Sequence, residues 1–344
     1  MAAGGTAGHV VPALSVAEQL KARGCEVEFA GGDRAEVELV PAAGLPFHRI
    51  RAEGLSRTSK VKAIKAALKA VPAVMSGVSL IRRLRPDVVM GGGGYVAGIV
   101  GAAAVITRTP LVLTEADSHL GISNRVLSRF AKRVCLSFQI DGCEGEKWLV
   151  TGRPVPLTTL GRDAARKRFG VAEDSVCVLV TGGSLGARSI NNAALEAFKM
   201  SDFEVIHLAG ERDFGGLSAP REGYHLFGYV EDFGDAVIAS DIAVARAGGS
   251  VFELAAGGCP AILVPYPQAA GDHQTGNARW MERAGAAEVV LDSDLTPELL
   301  RERVSQILED KTKLSSMAEA SRSLALPDAA AAVAEEVMKV GSAS

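Results

Sequence analysis

The run Val176-Cys177-Val178-Leu179-Val180-Thr181 leads directly into Gly182-Gly183-Ser184-Leu185-Gly186-Ala187-Arg188, and this passage decides the fold. The run is short, rich in β-branched residues and apolar at successive positions, as a strand covered on both faces must be. The glycines make a tight turn, and Ser189–Lys199 then reads as a helix. The same alternation recurs on either side. Strands are expected at Val27–Ala30, Asp87–Met90, Leu111–Thr114 and Arg133–Leu136 before it. After it they are expected at Glu204–Ala209, Ile242–Ala245, Ala261–Val264 and Glu288–Leu291. Helices are expected at Val10–Arg23, with Pro12 in the first turn and Gly24 as the stop, and at Ser250–Gly257, Gln274–Gly285 and Pro297–Glu309. Such alternation implies right-handed crossovers, and so an α/β chain of doubly wound parallel sheets.

At 344 residues the chain exceeds what one hydrophobic core serves, so two domains are expected. Thr151-Gly152-Arg153-Pro154-Val155-Pro156 favours an extended linker over helix. The division is 1–152, 153–327 and a final Ala-rich helix in 328–344 that packs back on the first domain. A formal charge of −3 argues against a general affinity for nucleic acid. The 5 cysteines include no CxxC pair, and Cys25, Cys135 and Cys177 lie in or beside predicted strands, which suits free thiols in a reducing compartment. No apolar stretch is long enough to span a bilayer and no secretory signal opens the chain, so a cytoplasmic location is expected. The chain begins Met1-Ala2-Ala3 and enters a glycine turn at once, with almost no strand before it. A natural start several residues upstream is the expectation.

Four loops follow predicted strands. Gly4-Gly5-Thr6-Ala7-Gly8-His9 lacks the Lys-Ser/Thr ending of a Walker A loop and the strict dinucleotide spacing. Its glycines still let a backbone approach a ligand at a helix start, or serve only as a tight turn. His9, in the first turn, is a general-base candidate or a structural histidine. In the second loop Ser184 and the glycine amides can face a phosphate. In the third, Gly248, Gly249 and Ser250 open a helix suited to a diphosphate, and Glu253 either accepts ribose hydroxyls or caps its helix. The fourth, Asp272-His273-Gln274-Thr275-Gly276-Asn277-Ala278, suits hydrogen bonding to sugar hydroxyls. All four at the carboxyl ends of strands point to one ligand-binding crevice.

These loops, with Gly93-Gly94-Tyr95-Val96, resemble the MurG family within the GT-B glycosyltransferases, and the resemblance covers essentially the whole chain. It implies two Rossmann-like domains facing a cleft. The donor would be UDP-GlcNAc and the acceptor lipid I, the undecaprenyl-pyrophosphoryl muramoyl-pentapeptide, giving lipid II for peptidoglycan. By match, Ser184 and the Gly248–Ser250 turn would hold the diphosphate, Glu253 the ribose and the Val230 backbone the uracil. Gln274 and Asn277 would hold the GlcNAc. Thr6, Ala7 and Gly8 would line the acceptor side, with His9 as base and Tyr95 nearby. The chain departs from the family in three places, one of them an Arg246–Glu253 loop one residue shorter than the common form. Where the family has His-Glu-x-Asn, it has Thr114-Glu115-Ala116-Asp117, keeping Glu115 and replacing an amide with an acceptor-only carboxylate at Asp117, both expected at the substrate. Pro156 stands where an arginine is usual.

The expected reaction is an inverting displacement at C1 of GlcNAc with no required cofactor, a divalent cation at most stimulating it. Asp292-Ser293-Asp294 reads as a helix cap and not a metal ligand. Between Arg57 and Arg85 the basic residues Arg57, Lys60, Lys62, Lys65, Lys69, Arg82, Arg83 and Arg85 accompany an apolar stripe of Val61, Ile64, Leu68 and Val71. Such a segment either rests on an anionic leaflet, at the cytoplasmic face of the cell membrane, or is a solvated helix face. Three alternatives stay open: a GT-B transferase for another acceptor, a UDP-GlcNAc 2-epimerase, and a non-catalytic binding module.

Overall fold

A computed structural model describes residues 1–50, 60–156 and 160–343, leaving aside the side chains of residues 7, 60–69 and 270. The chain divides into two compact units, Met1–Val155 with Leu326–Ser344, and Pro156–Ala325.

The first unit runs α1 (Ala7–Ala22), β1 (Phe29–Gly31), α2 (Glu36–Ala42), β2 (Phe47–Arg49), α3 (Lys60–Leu84), β3 (Val89–Gly91), α4 (Gly94–Thr107), β4 (Leu111–Glu115), α5 (Ile122–Leu127), β5 (Arg133–Leu136) and β6 (Trp148–Val150), and the last helix, α14 (Ala329–Ser342), also belongs to it. β1 pairs with β2, and β3 with β4, β5 and β6 in turn, every pair parallel. Ala2 stands between the two pieces, bridged in parallel to Ala30 and to Gly91. Its N–H donates to Met90 O and its own carbonyl accepts from Gly92 N–H, each at 2.8 Å. The strand that is almost missing from the sequence is this one bridging residue. Strand order reverses there, so the turn at Gly4 leaves the sheet at its switch point, where ligands of doubly wound folds bind.

α1 starts at Ala7, three residues before the expected Val10, which puts Pro12 inside the helix and not in its first turn. Val10, Ala13, Ala17 and Leu20 are buried at helical spacing against the sheet, with Leu14 at the flank. α14 packs on α1, β4 and β5, with Val333, Ala334 and Val337 in the core. Its buried Glu336 accepts from Arg133 Nε at 3.1 Å.

The second unit runs α6 (Arg162–Phe169), β7 (Cys177–Thr181), α7 (Arg188–Ala197), β8 (Glu204–Leu208), α8 (Glu211–Phe214), β9 (Tyr224–Phe227), α9 (Phe233–Ala239), β10 (Ile242–Ala245), α10 (Ser250–Ala256), β11 (Ala261–Leu263), α11 (His273–Arg283), β12 (Ala287–Val289), α12 (Pro297–Glu309) and α13 (Lys311–Ser323). Its 6-stranded sheet has the order β12-β11-β10-β7-β8-β9, and every pair is parallel. Val178, Val180, Val205, Ile242, Val244 and Ile262 are fully buried within it. The switch point lies between β7 and β10, the two strands that end in the Gly182–Gly186 and Gly248–Gly249 turns. Thr296, whose Oγ1 accepts from Leu299 N–H at 3.2 Å, caps α12. The expected Asp292–Asp294 cap is corrected accordingly, since Asp292 pairs with Arg246 at 2.6 Å.

His207 sits at the centre of β8 with no exposure. Asn191 donates its Nδ2 to Ala209 O at 2.9 Å, so its Oδ1 accepts from His207 Nε2 at 3.0 Å, and His207 Nδ1 accepts from Tyr224 OH at 2.7 Å. Burial lowers the imidazole pKa to about 4 from the usual 6.5. The unfolded chain therefore binds this proton more readily, and stability is lost as pH falls from about 6.5 to about 4, by about 3 kcal/mol in all. We expect the unfolding free energy of this unit to fall over that window by about this much more in the parent than in His207→Gln. Equal slopes would exclude the site.

Candidate active site

In the first unit the Gly4–Gly5 turn hands the chain to α1. Thr6 is the N-cap residue in extended conformation, and its Oγ1 lies 3.2 Å from His9 Nδ1. The imidazole rests on Gly93, where an added Cβ would come within 2.6 Å of its Cδ2. Thr6 and Gly8 are exposed and His9 half-buried, so the start of α1 is reachable at these three residues. From below, the fully buried Glu36 accepts Gly5 N–H at 3.0 Å and Gly32 N–H at 2.8 Å. Tyr95 is half-buried beside the same turn, and a Cβ on Gly32 would lie 2.1 Å from its hydroxyl. Burial, then the Glu36 charge, raise the phenol pKa, so Tyr95 is protonated near neutral pH.

Glu115 ends β4 and is 5% exposed. Its carboxylate accepts Asp117 N–H at 3.2 Å, Gly121 N–H at 2.8 Å and Asn124 Nδ2 at 2.9 Å. Burial raises its pKa against those donors, which act to lower it. Glu115 thus sets the shape of the loop from Ala116 to Gly121, on which Asp117 is half-buried. Under the loop is a small cavity of about 20 Å³ lined by Thr114, Glu115, Ser137, Thr151, Arg153 and Val333 among others. The buried Arg153 donates from Nη2 to Gly8 O and, at 3.5 Å, from Nη1 to Ala116 O.

In the second unit Ser184 is exposed on the β7–α7 turn, whose Gly183 N–H donates to Thr181 Oγ1 at 3.1 Å. Gly248 and Gly249 are half-buried before α10, and Ser250 Oγ donates to Arg246 O at 3.2 Å. Glu253 is half-buried one turn on. Burial, then the charges of Glu231, Glu211 and Glu253, raise the pKa of Tyr229, the residue before the half-buried Val230. On α11, Gln274 Oε1 accepts Tyr266 N–H at 2.9 Å, while its Nε2 would lie 3.8 Å from a Cβ on Gly248. Asn277, 1% exposed, donates Nδ2 to Ala247 O at 3.0 Å. Its Oδ1 is buried with no hydrogen-bond partner among the described residues. A buried amide oxygen left in this way is a place for a ligand donor.

Sequence reasoning assigned no role to Arg153, Glu36 or Arg246. Arg246 donates to Val264 O and Pro265 O at 3.1 Å and to Ser189 Oγ at 2.9 Å, and pairs with Asp292 at 2.6 Å, tying together the ends of β10 and β11 and the start of α7. Its partners lie far along the chain, so no local pattern announces it. Arg153 had a signal, since Pro12 stands four residues after Gly8.

Residues 1–136 match the N-terminal domain of glycosyltransferase family 28, and residues 177–333 its C-terminal domain. A protein of Desulfitobacterium hafniense (strain Y51) is 36% identical over 95% of this chain and 94% of its own length. One of Moorella thermoacetica (strain ATCC 39073 / JCM 9320) is 38% identical over 98% of this chain and 97% of its own. Both are named UDP-N-acetylglucosamine–N-acetylmuramyl-(pentapeptide) pyrophosphoryl-undecaprenol N-acetylglucosamine transferase. The crystal structure of Acinetobacter baumannii MurG shares the fold with a TM-score of 0.79 at 31% identity, over 98% of each chain. With two doubly wound units, glycine turns at both switch points and these relatives along its full length, the chain belongs to the MurG family of GT-B glycosyltransferases.

Proposed function

We propose that this enzyme transfers GlcNAc from UDP-GlcNAc to the muramoyl 4-hydroxyl of lipid I, with inversion, to give lipid II. The observation that carries the donor side is Asn277. Its unpartnered Oδ1, on the amide that donates to Ala247 O just before the Gly248 turn, suits a hydroxyl or N–H of a bound amino sugar. Around it, the Gly248–Ser250 turn and Ser184 take the diphosphate, Glu253 the ribose diol, and the backbone at Val230 the uracil. In the first unit Thr6, Ala7, Gly8 and Asp117 take the acceptor.

The acceptor oxygen attacks C1 of GlcNAc as the bond from C1 to the β-phosphate oxygen breaks. The hydroxyl proton passes to His9, and UDP leaves with the bonding electron pair. Charge on the leaving group is met by backbone N–H groups and the Ser184 hydroxyl, so the proposal needs no cofactor. With the proton on Nδ1, Thr6 Oγ1 accepts it and the His9 lone pair is on Nε2.

Lipid I is membrane-bound, and we assign the enzyme to the cytoplasmic face of the membrane as a peripheral protein. No described helix is long and apolar enough to cross a membrane. α5 and the turn after it expose Ile122 at 69%, Val126 at 54% and Phe130 at 58%, spaced by four, with Arg125 and Arg129 also exposed. Apolar residues flanked by arginines suit an anionic leaflet. Arg57 and the side chains of Lys60, Lys62, Lys65 and Lys69, with those of Val61, Ile64 and Leu68, lie outside the described residues.

The test is purified enzyme with UDP-GlcNAc and a short-chain lipid I analogue, following UDP and disaccharide. Disaccharide formation is expected, faster on anionic than on zwitterionic vesicles. Formation of UDP-ManNAc without acceptor would replace the reading with an epimerase, and binding without turnover would replace it with a binding module.

A further inference from the structure

We propose that Arg153 is a positioning residue for the acceptor loop, supplying the first turn of α1 with a hydrogen-bond donor that Pro12 cannot provide. The inference rests on the assignment of Thr6–His9 to the acceptor side.

In an α-helix the carbonyl of residue i accepts the N–H of residue i+4. For Gly8 that residue is Pro12, which has no N–H, and α1 runs through both positions. The Gly8 carbonyl therefore loses its helical donor in the turn that carries His9, and a carbonyl left unpaired at a partly buried site is costly. Arg153 Nη2 donates to it, from 145 positions along the chain. Arg153 is 9% exposed, too buried to be a surface charge resting on a helix by chance. Its Nη1 reaches Ala116 O at 3.5 Å, so one planar group joins the His9 turn to the loop that carries Asp117. Arginine fits this task because its donors are fixed in a fork, whereas lysine offers a single mobile point. Glu36 holds the same loop at Gly5 from the other side. The segment from Gly5 to His9 is thus fixed at both ends, by an anion on an amide and by a cation on a carbonyl.

The pair makes a specific prediction, because Pro12→Ala restores an N–H at the helical position and should make Arg153 dispensable. The experiment is a double-mutant cycle of Arg153→Gln and Pro12→Ala, with Arg153→Lys beside it. It reads kcat, KM for each substrate, the thermal midpoint, and the His9 imidazole resonances of ¹⁵N-histidine-labelled protein. Arg153→Gln is expected to lower kcat ten- to a hundredfold and shift the His9 resonances, leaving KM for UDP-GlcNAc within twofold. Arg153→Lys recovers part of the loss. Pro12→Ala stays near the parent, and the double variant follows Pro12→Ala in kcat, midpoint and His9 signal. Effects that simply multiply would overturn the proposal, as would an Arg153→Gln protein with unchanged kcat and His9 resonances. If the parent shows no transfer to the lipid I analogue, the reaction assignment fails by itself. The midpoint and resonance cycle then still decides whether Pro12 and Arg153 act on one carbonyl.

Discussion

His9→Ala lowers kcat by a factor of about 10²–10⁴, the usual contribution of a positioned general base. The geometry behind this is local and redundant. Nδ1 lies 3.2 Å from Thr6 Oγ1, which orients the ring, and Gly93 supports the ring edge where any side chain would displace it. His9 lies in the first turn of a helix that is buried through Val10 and Ala13, which fixes its backbone. Ser184, Glu253, Gln274 and Asn277, the residues proposed to hold the donor, all belong to the other unit. UDP-GlcNAc affinity should therefore survive the substitution, and the loss should appear in kcat. Steady-state kinetics with calorimetry of donor binding makes the check. A kcat within threefold of the parent would remove His9 as base and leave it the role of packing on Gly93.

The buried strands were legible because a parallel strand covered by helices must be apolar at successive positions. Leu111–Glu115, Cys177–Thr181 and Ile242–Ala245 meet that demand and fall within a residue of their expected positions. Three strands were not legible: Phe47–Arg49, Trp148–Val150 and Tyr224–Phe227. All three are edge strands, mostly half-exposed, and they carry His48, Arg49, Trp148 and His225 where an interior strand would carry valine. The same contrast governs the site. Glycine turns are visible in sequence because close backbone approach forbids a Cβ whatever lies opposite. What lies opposite is not visible. Glu36 meets Gly5 across 31 positions, and Arg246 meets Ser189 across 57. Glu115 was expected at the substrate on family likeness, and its three internal donors could be known only once Gly121 and Asn124 had been folded back onto it.

Gly94→Ala should be the most disruptive single-methyl change in the first unit. Gly94 has φ +77, in the left-handed region that costs other residues about 1–2 kcal/mol. The larger problem is what its Cβ would meet. It would lie 2.0 Å from Gly4 O and 3.0 Å from Gly4 C, backbone atoms with no rotamer to change. Gly4 cannot retreat, because it lies between Ala2, bridged in the sheet, and Gly5, bonded to Glu36. Relief must come from moving α4 or from rebuilding the turn into α1, which brings the total to on the order of 3–5 kcal/mol. For a unit of this size that lowers the thermal midpoint by about 10 °C. The second unit has a contact of the same kind between the ends of β7 and β8, where a Cβ on Gly186 would lie 2.1 Å from Ala209 O. Gly186→Ala therefore serves as the matched comparison. Each substitution should lower the midpoint of its own unit, with Gly94→Ala weakening the acceptor side and Gly186→Ala the donor side. If Gly94→Ala unfolds with the parent's midpoint and turns over normally, the turn at Gly4 is free to yield. The fixed geometry assigned to His9 would then have no mechanical basis.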